Sequence, residues 1–338
     1  MIPEPKNISE LKRFSERIGN NLDWIQGAGG NTSLKEEGIL WIKASGCWLS
    51  SSLTDSIFIP VRESDVLTSI TNNNLSETNS LNLGKLRPSI ETSLHALMPH
   101  KFVFHTHSVN LISVAVLKEG RNYLTEIFKD LNWEWIPYAK PGIELAKKIK
   151  EIIHNDVDII VLANHGLVVG SETAQGAYEI LLDIEDRVDR KLRKRVKHKK
   201  ENQLILPKES MYRICKYNIA NDLAFDDFAL DVIKTGTLYP DHVVFLGVSQ
   251  IQIFSIEELQ YLIISDDDSI KQYPVFIVKD YGLIVNKNIS KNAEAMLYCL
   301  GSVLLRINFH EKIRYLTKAE EMELIGWDAE KYRKSLEK

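Results

Sequence analysis

At 338 residues, 44% of them hydrophobic and 26% charged, the chain is long enough to bury two cores, and its formal net charge of -4 gives no overall basic field to draw in nucleic acid. Three cysteines, Cys47, Cys215 and Cys299, are too few and too scattered for a disulfide framework, which fits a reducing, cytoplasmic setting. Met1 to Lys6 lacks the apolar core of a signal peptide and no run approaches the roughly 20 apolar residues of a membrane helix, so a soluble protein without a membrane partner is expected.

Leu11, Phe14, Ile18 and Leu22 recur at helical spacing and predict a helix over Glu10 to Leu22. It gives way to a glycine-rich loop, Gly27-Ala28-Gly29-Gly30-Asn31-Thr32-Ser33, whose backbone N–H groups and polar side chains suit an anion such as phosphate; an ordinary helix-to-strand turn is the competing reading. No Gly-Lys-Ser/Thr follows, which excludes a Walker loop. Ile39 to Lys43 and Ile57 to Val61 read as strands, with Ala44-Ser45-Gly46 turning the chain after the first, and Thr71 to Asn82 reads as a polar surface loop. Arg87-Pro88-Ser89-Ile90-Glu91 reads as a helix start, with Ser89 as N-cap and Pro99 stopping the helix after Met98. Phe102 to His107 is then a strand, followed by helices over Ser108 to Leu117 and Gly142 to Ile153. The short apolar strand Ile159 to Ala163 leads into Asn164-His165-Gly166, and Ala177, Ile180, Leu181, Ile184 and Val188 mark a long amphipathic helix.

Nine Lys or Arg residues crowd Arg187 to Lys200; without interleaved aromatics they read as the solvated end of that helix running into a linker. A boundary near Asn202 to Pro207 divides the chain into units 1–203 and 208–338. The second unit shows traces of the first. Val161-Leu162-Ala163-Asn164-His165-Gly166-Leu167-Val168-Val169 matches Ile277-Val278-Lys279-Asp280-Tyr281-Gly282-Leu283-Ile284-Val285, and an amphipathic helix follows each copy. Upstream, Pro99 to His105 pairs with Pro240 to Leu246, so that Leu246, Val248 and Tyr281 stand where His105, His107 and His165 stand in the first copy. The second unit is thus expected to be a degenerate copy without metal ligands, packed beside the first, its last helix started by Thr317 and Glu320 at capping-box spacing.

His105 and His107 are two apart, and a strand's period of two puts both imidazoles on one face, within reach of one metal ion. His165, just after another apolar strand in a glycine turn, makes a third ligand, and three nitrogens with an open position is the pattern of a catalytic metal. Glu91 either completes that shell or acts as a base, unless it merely complements the helix dipole. His95, one turn further along, suits a supporting role better than ligation.

Taken in order, Gly30-Asn31-Thr32-Ser33, Ala44-Ser45-Gly46, Pro88-Ser89-x-Glu91, His105-x-His107 and Asn164-His165-Gly166 resemble the signature of the class II aldolase and adducin family over roughly residues 10 to 190. The longer wording is most similar to long-form rhamnulose-1-phosphate aldolase-like proteins. The resemblance implies an α/β layered fold around a largely antiparallel sheet, with a smaller degenerate α/β unit behind it. It implies Zn2+ on His105, His107 and His165, Glu91 as acid/base, and Asn31, Thr32, Ser45, Gly46 and Ser89 around the substrate or its phosphate. Ile90 departs from the pattern, standing where short members often carry a second serine. The implied reaction is cleavage or formation of a carbon–carbon bond in a ketose, such as a ketose 1-phosphate, through a metal-stabilised enediolate, with Tyr123 or Tyr138 serving the leaving aldehyde. Small sugars or sugar phosphates and further copies of the chain are the implied partners. A pentulose-phosphate 4-epimerase, a sugar-acid dehydratase or decarboxylase, and a metal-free scaffold of adducin type are the competing readings.

Overall fold

The computed structural model describes residues 2–72, 86–154, 157–193, 204, 206, 210–248, 251–264 and 273–325. Seven strands form one sheet: β1 (Asn31–Glu36), β2 (Ile39–Lys43), β3 (Phe58–Arg62), β4 (Phe102–Thr106), β5 (Trp133–Ile136), β6 (Ile159–Leu162) and β7 (Gly166–Ser171), in the order β3-β2-β1-β4-β7-β6-β5. Every neighbouring pair is antiparallel except β5 with β6.

Alternation along these strands builds three layers. Leu34, Phe102, Phe104, Val161, Leu167 and Val169 pack on Leu11, Phe14 and Ile18 of the Ile8–Gly19 helix and on Tyr178 and Leu181 of the Ala174–Arg187 helix. Their neighbours Val103, Ile160, Leu162 and Val168 face the other way, onto Leu94 of the Thr92–Leu97 helix and Leu145 and Ile149 of the Ile143–Ile152 helix. Asn31 pairs with His105 and Ser33 with Val103, so these side chains look toward the second layer. The layered α/β fold with a largely antiparallel sheet is the one expected from the sequence.

The polar segment expected as a loop lies outside the described residues from 73 onward, while Thr71 and Asn72 finish a helix, Glu63–Asn72. The basic run from 194 and the boundary around 203 also fall outside them. Its described start is paired rather than free: Arg187 holds both oxygens of Asp130 at 2.7 and 2.9 Å, Arg190 meets Glu311, and Arg193 meets Asp226.

A second sheet contains β8 (Tyr212–Ile214), β9 (Gln252–Phe254), β10 (Val275–Val278) and β11 (Gly282–Asn286) in the order β8-β11-β10-β9. Its pairing senses repeat those of β4-β7-β6-β5: two antiparallel pairs, then one parallel pair. The hairpins also agree in register, Leu162 opposite Gly166 and Val278 opposite Gly282, with Asn164 and Asp280 both at positive φ (54° and 65°). A 14-residue helix follows each, Ala174–Arg187 and Lys291–Leu304.

The upstream pairing needs correction. Pro240–Leu246 is a helix with Pro240 in its first turn, not a strand, because a proline that fixes φ and lacks an N–H is suited to that position. The counterpart of β4 by topology is β8: Ile214 stands opposite Ile284 as His105 stands opposite Val168. Ile214 and Lys216, rather than Leu246 and Val248, therefore take the places of His105 and His107, and Tyr281 keeps the place of His165. The capping box at Thr317 and Glu320 forms as expected.

The two sheets share a wall. Val109, Ile112 and Val116 of the first half are buried together with Leu297, Leu300 and Leu304 of the second. Backbone bonds from Lys118 N to Lys312 O (2.8 Å) and from Arg314 N to Val116 O (2.7 Å) run alongside. Asn164 ties the halves at the site itself, its Nδ2 donating to Leu238 O at 2.7 Å and Arg314 O at 2.8 Å. Asn164→Ala is therefore expected to cost about 2–4 kcal/mol, from the left-handed backbone and from buried carbonyls left without donors. Asn164→Gly also loses the side-chain bonds but keeps the backbone at ease, and should cost less; equal urea midpoints for the two variants would show that the left-handed backbone contributes nothing, and a midpoint of Asn164→Gly equal to that of the unaltered protein that the side-chain bonds contribute nothing.

Candidate metal centre

His105 is the penultimate residue of β4, His107 follows directly after the strand's last residue, and His165 sits in the turn between β6 and β7. The strand period places the first two rings together as anticipated, with Nε2 atoms 3.1 Å apart. Gly166 lets the third approach: a Cβ there would lie 2.4 Å from Thr106 O and 3.2 Å from the His105 ring. Glu91 immediately precedes the Thr92–Leu97 helix and presents Oε1 to His165 Nε2 at 3.2 Å and Oε2 to His105 Nε2 at 3.4 Å. One donor atom from each of Glu91, His105, His107 and His165 lies within 4.8 Å of all the others, and all four residues are buried.

The protons on these rings follow from their outer partners. His105 Nδ1 is 2.9 Å from the carbonyl of Leu167, which only accepts, so Nδ1 carries the proton and Nε2 presents a lone pair. The carboxylate of Asp241, 3.0 Å from His107 Nδ1, favours the same tautomer for the second ring. Two lone pairs then face each other beside a carboxylate. Such a set repels itself unless a cation sits among the nitrogens and the carboxylate, and three imidazoles with one carboxylate suit a divalent ion of the zinc type. Among the described residues Glu91 Oε1 is buried without a hydrogen-bond partner, as a site completed by a ligand would leave it.

Burial pushes the pKa of His105 down and that of His165 down to about 3, which keeps both rings neutral and able to donate lone pairs. Burial alone would raise the pKa of Glu91; positive charge on the imidazoles of His105, His165 and His107 would lower it, and with those rings neutral the amide of Asn31 is the contact that favours the carboxylate. A chain of hydrogen bonds fixes that carboxylate. Ser33 Oγ lies 2.7 Å from His95 Nδ1, His95 Nε2 meets Asn31 Oδ1, and Asn31 Nδ2 donates to Glu91 Oε2 at 2.8 Å. Because the Asn31 carbonyl accepts, neutral His95 donates through Nε2 and accepts from Ser33.

The remaining candidates divide. Ser89 Oγ accepts from Asn31 Nδ2 (3.2 Å) and from Glu91 N (3.3 Å); it caps no helix, since the helix begins three residues later at Thr92. Ser45 N donates to Arg87 O at 2.9 Å, and Ser89 N to Lys43 O at 3.2 Å, so the Ser45-Gly46 turn is fastened beside Ser89. Thr32 points to the opposite face of the sheet, where its hydroxyl meets Ser15 Oγ at 2.6 Å. One position along a strand reverses a side chain, and Thr32 therefore leaves the site. Gly27 to Gly30 are buried, and the loop's Ala28 N–H is taken by Asn292 Oδ1 at 2.8 Å, so it is not an open anion cradle. Tyr123 is exposed, 5.7 Å beneath Arg190, and does not line the site cavity. Tyr138 is buried among Ala163, Val243, Leu316 and Leu324, its phenol pushed well above its usual range by burial.

Missing from the sequence reading were Asp241 and the cover it belongs to. Pro240, Asp241, Val244 and Leu324 close over Glu91, His107 and His165 and leave a cavity of about 20 Å³. A first-turn acid after a proline, Tyr239-Pro240-Asp241, is the helix-start signal that could have placed Asp241.

The sequence profile of the Class II Aldolase and Adducin N-terminal domain matches residues 10–190. The chain is 28% identical over 211 residues to the Uncharacterized oxidoreductase YuxG of Bacillus subtilis (strain 168), a match that spans 57% of this chain and only 30% of that relative's length. Among solved structures it is similar to the N-terminal class II aldolase domain of a conserved protein from Thermoplasma acidophilum, with 29% identity, 56% of this chain and 94% of that one covered, and a TM-score of 0.48. A sugar-phosphate aldolase from Thermotoga maritima matches with 18% identity over 54% of this chain and 92% of its own, at a TM-score of 0.42.

Two outcomes follow from the geometry. Replacing His105, His107 or His165 by alanine should each remove most of the bound divalent metal, measured by elemental analysis of the dialysed protein; full metal content in any one of them would remove that residue from the ligand set. His95 is held at about 3 by burial, against 6.5 for a free histidine, so the unfolded chain takes up a proton that the folded chain refuses as pH falls below 6.5. Stability owed to neutral His95 is complete above that pH and is lost by about 1 kcal/mol per unit down to about pH 3. In urea titrations of the metal-free protein, His95→Gln should flatten the pH dependence between 6.5 and 4.

Proposed function

Because the chain belongs to the class II aldolase and adducin family, we propose that its metal centre makes or breaks a carbon–carbon bond in a ketose, of which a ketose 1-phosphate is the preferred class. The convergence of three inward-facing imidazole nitrogens on one ionised carboxylate carries this reading. Zinc is the cation this donor set favours; when bound, it draws electron density from a substrate carbonyl and lowers the cost of negative charge on the adjacent oxygen. Glu91, held ionised and aimed by Asn31, takes a proton from the carbon next to that carbonyl in the bond-forming direction and returns it in cleavage. Ser45, Gly46 and Ser89, gathered on the Asn31 side of Glu91, form the phosphate end. Tyr138 is the better of the two phenols for the leaving oxygen, since burial keeps it protonated close behind the cavity wall.

In this reading residues 1–203 are the catalytic unit and 208–338 a degenerate copy without ligands of its own. The space beside Glu91, about 20 Å³, is room for about one water, far less than a ketose needs. Substrate therefore enters when a wall moves. The wall formed by Leu324 belongs to the short Lys318–Leu324 helix, tied through Thr237 to Glu321 at 2.7 Å and through Arg314 to Glu320.

Incubation with a panel of ketose 1-phosphates should release dihydroxyacetone phosphate, and a chelator should abolish that release. Epimer formation without fragments would redirect the reading to a 4-epimerase, and no turnover by the zinc-loaded protein would sink it. Glu91→Gln, which keeps the volume and removes the base, should lose roughly a hundredfold or more in rate while binding substrate.

A further inference from the structure

We infer that Asp241, contributed by the second half of the chain, is the positioning carboxylate of the metal ligand His107, so that the metal centre is assembled from both halves. The inference rests on Glu91, His105, His107 and His165 being a metal site and is independent of the reaction proposed for it. Asp241 Oδ2 lies 3.0 Å from His107 Nδ1, while the opposite ring nitrogen, Nε2, faces His105 Nε2 at 3.1 Å. One edge of the imidazole is thus given to the carboxylate and the other to the site. A carboxylate this close to the outer nitrogen favours the tautomer with its proton on Nδ1 and the lone pair on Nε2, and makes that inner nitrogen the more basic.

The surroundings are built for this contact. Asp241 is buried, 8% exposed, and a carboxylate is expensive to bury without a partner. Its position is set by Pro240 at the start of the helix and by Leu238 O, which accepts from Asn164 beside the ligand His165. Gly29 lines the same contact: a Cβ there would come within 2.9 Å of His107 Nδ1 and 3.0 Å of Asp241 Oδ2, so the pair meets over a residue with no side chain. His105 has a neutral carbonyl, Leu167 O, in the corresponding place.

The test is zinc affinity in the full chain, measured by competition with a chromophoric chelator, together with the visible spectrum of the cobalt-loaded protein. Asp241→Ala removes the acceptor and should weaken zinc binding by about 10–100-fold. Asp241→Asn keeps the volume and one acceptor oxygen, so its loss should be smaller, with a cobalt spectrum displaced from that of the unaltered protein because His107 is a weaker donor. Melting of the metal-free forms separates this role from a packing role, since a packing residue would lower the melting temperature without changing the cobalt spectrum. Unaltered affinity in Asp241→Ala overturns the inference. So does an unaltered affinity and spectrum in Asp241→Asn, even if the alanine variant fails to fold. Absence of zinc binding in the unaltered protein would remove the metal site itself, an outcome distinct from failure of Asp241 alone.

Discussion

Three imidazole lone pairs and a carboxylate buried at one point form the constraint on which the surrounding structure depends. Each member is costly to bury, and for three of the four something outside the site holds the far side. The Leu167 carbonyl holds His105, Asp241 holds His107, and Asn31 holds Glu91 through a chain that runs on to His95 and Ser33. Those partners come from β1, from β7, from the helix that follows Glu91, and from the second half of the chain. A change in any one element therefore alters a donor at the centre.

Burial also decides the chemistry. His95 and His165, both lowered to about 3, stay neutral across the physiological range, while Glu91 stays ionised. The centre thus keeps acceptors where a cation needs them and offers no proton to compete for them. Ordering of Asn31 by His95 holds one oxygen of the Glu91 carboxylate in place while both oxygens face the imidazoles.

Much of this was legible in the sequence, and the reasons are specific. His105 and His107 could be placed together because a strand's period is two, and His165 because Asn-x-Gly after an apolar strand marks a tight turn. The same period defeated Thr32. Its motif neighbours Asn31 and Ser33 face Glu91 and His95, but a residue between them must face the other layer. Ser89 has the composition of an N-cap, yet its hydroxyl is spent on Asn31 and the backbone of Glu91, a tertiary contact that local pattern does not encode. Tyr123 and Tyr138 differ only in burial, which single-sequence reading could not rank. Pro240 to Leu246 looked like a strand because its apolar run is as short as one; the proline at its start was the better guide.

The second half is tied to the site by the same physics. Its sheet repeats the order and pairing of half of the first, with Ile214 opposite Ile284 as His105 is opposite Val168. Removing that half would strip the site of more than a neighbour. Val109, Ile112 and Val116, which lie just after His107, would lose the apolar cover of Leu297, Leu300 and Leu304. Asn164, at φ 54°, would lose both carbonyls that its amide satisfies, and the Gly27–Gly30 loop would lose Asn292. His107 would lose the acceptor on its outer nitrogen. The second half is therefore under physical constraint from the site, because its helix starts and loop carbonyls form part of the outer wall around His107 and Asn164.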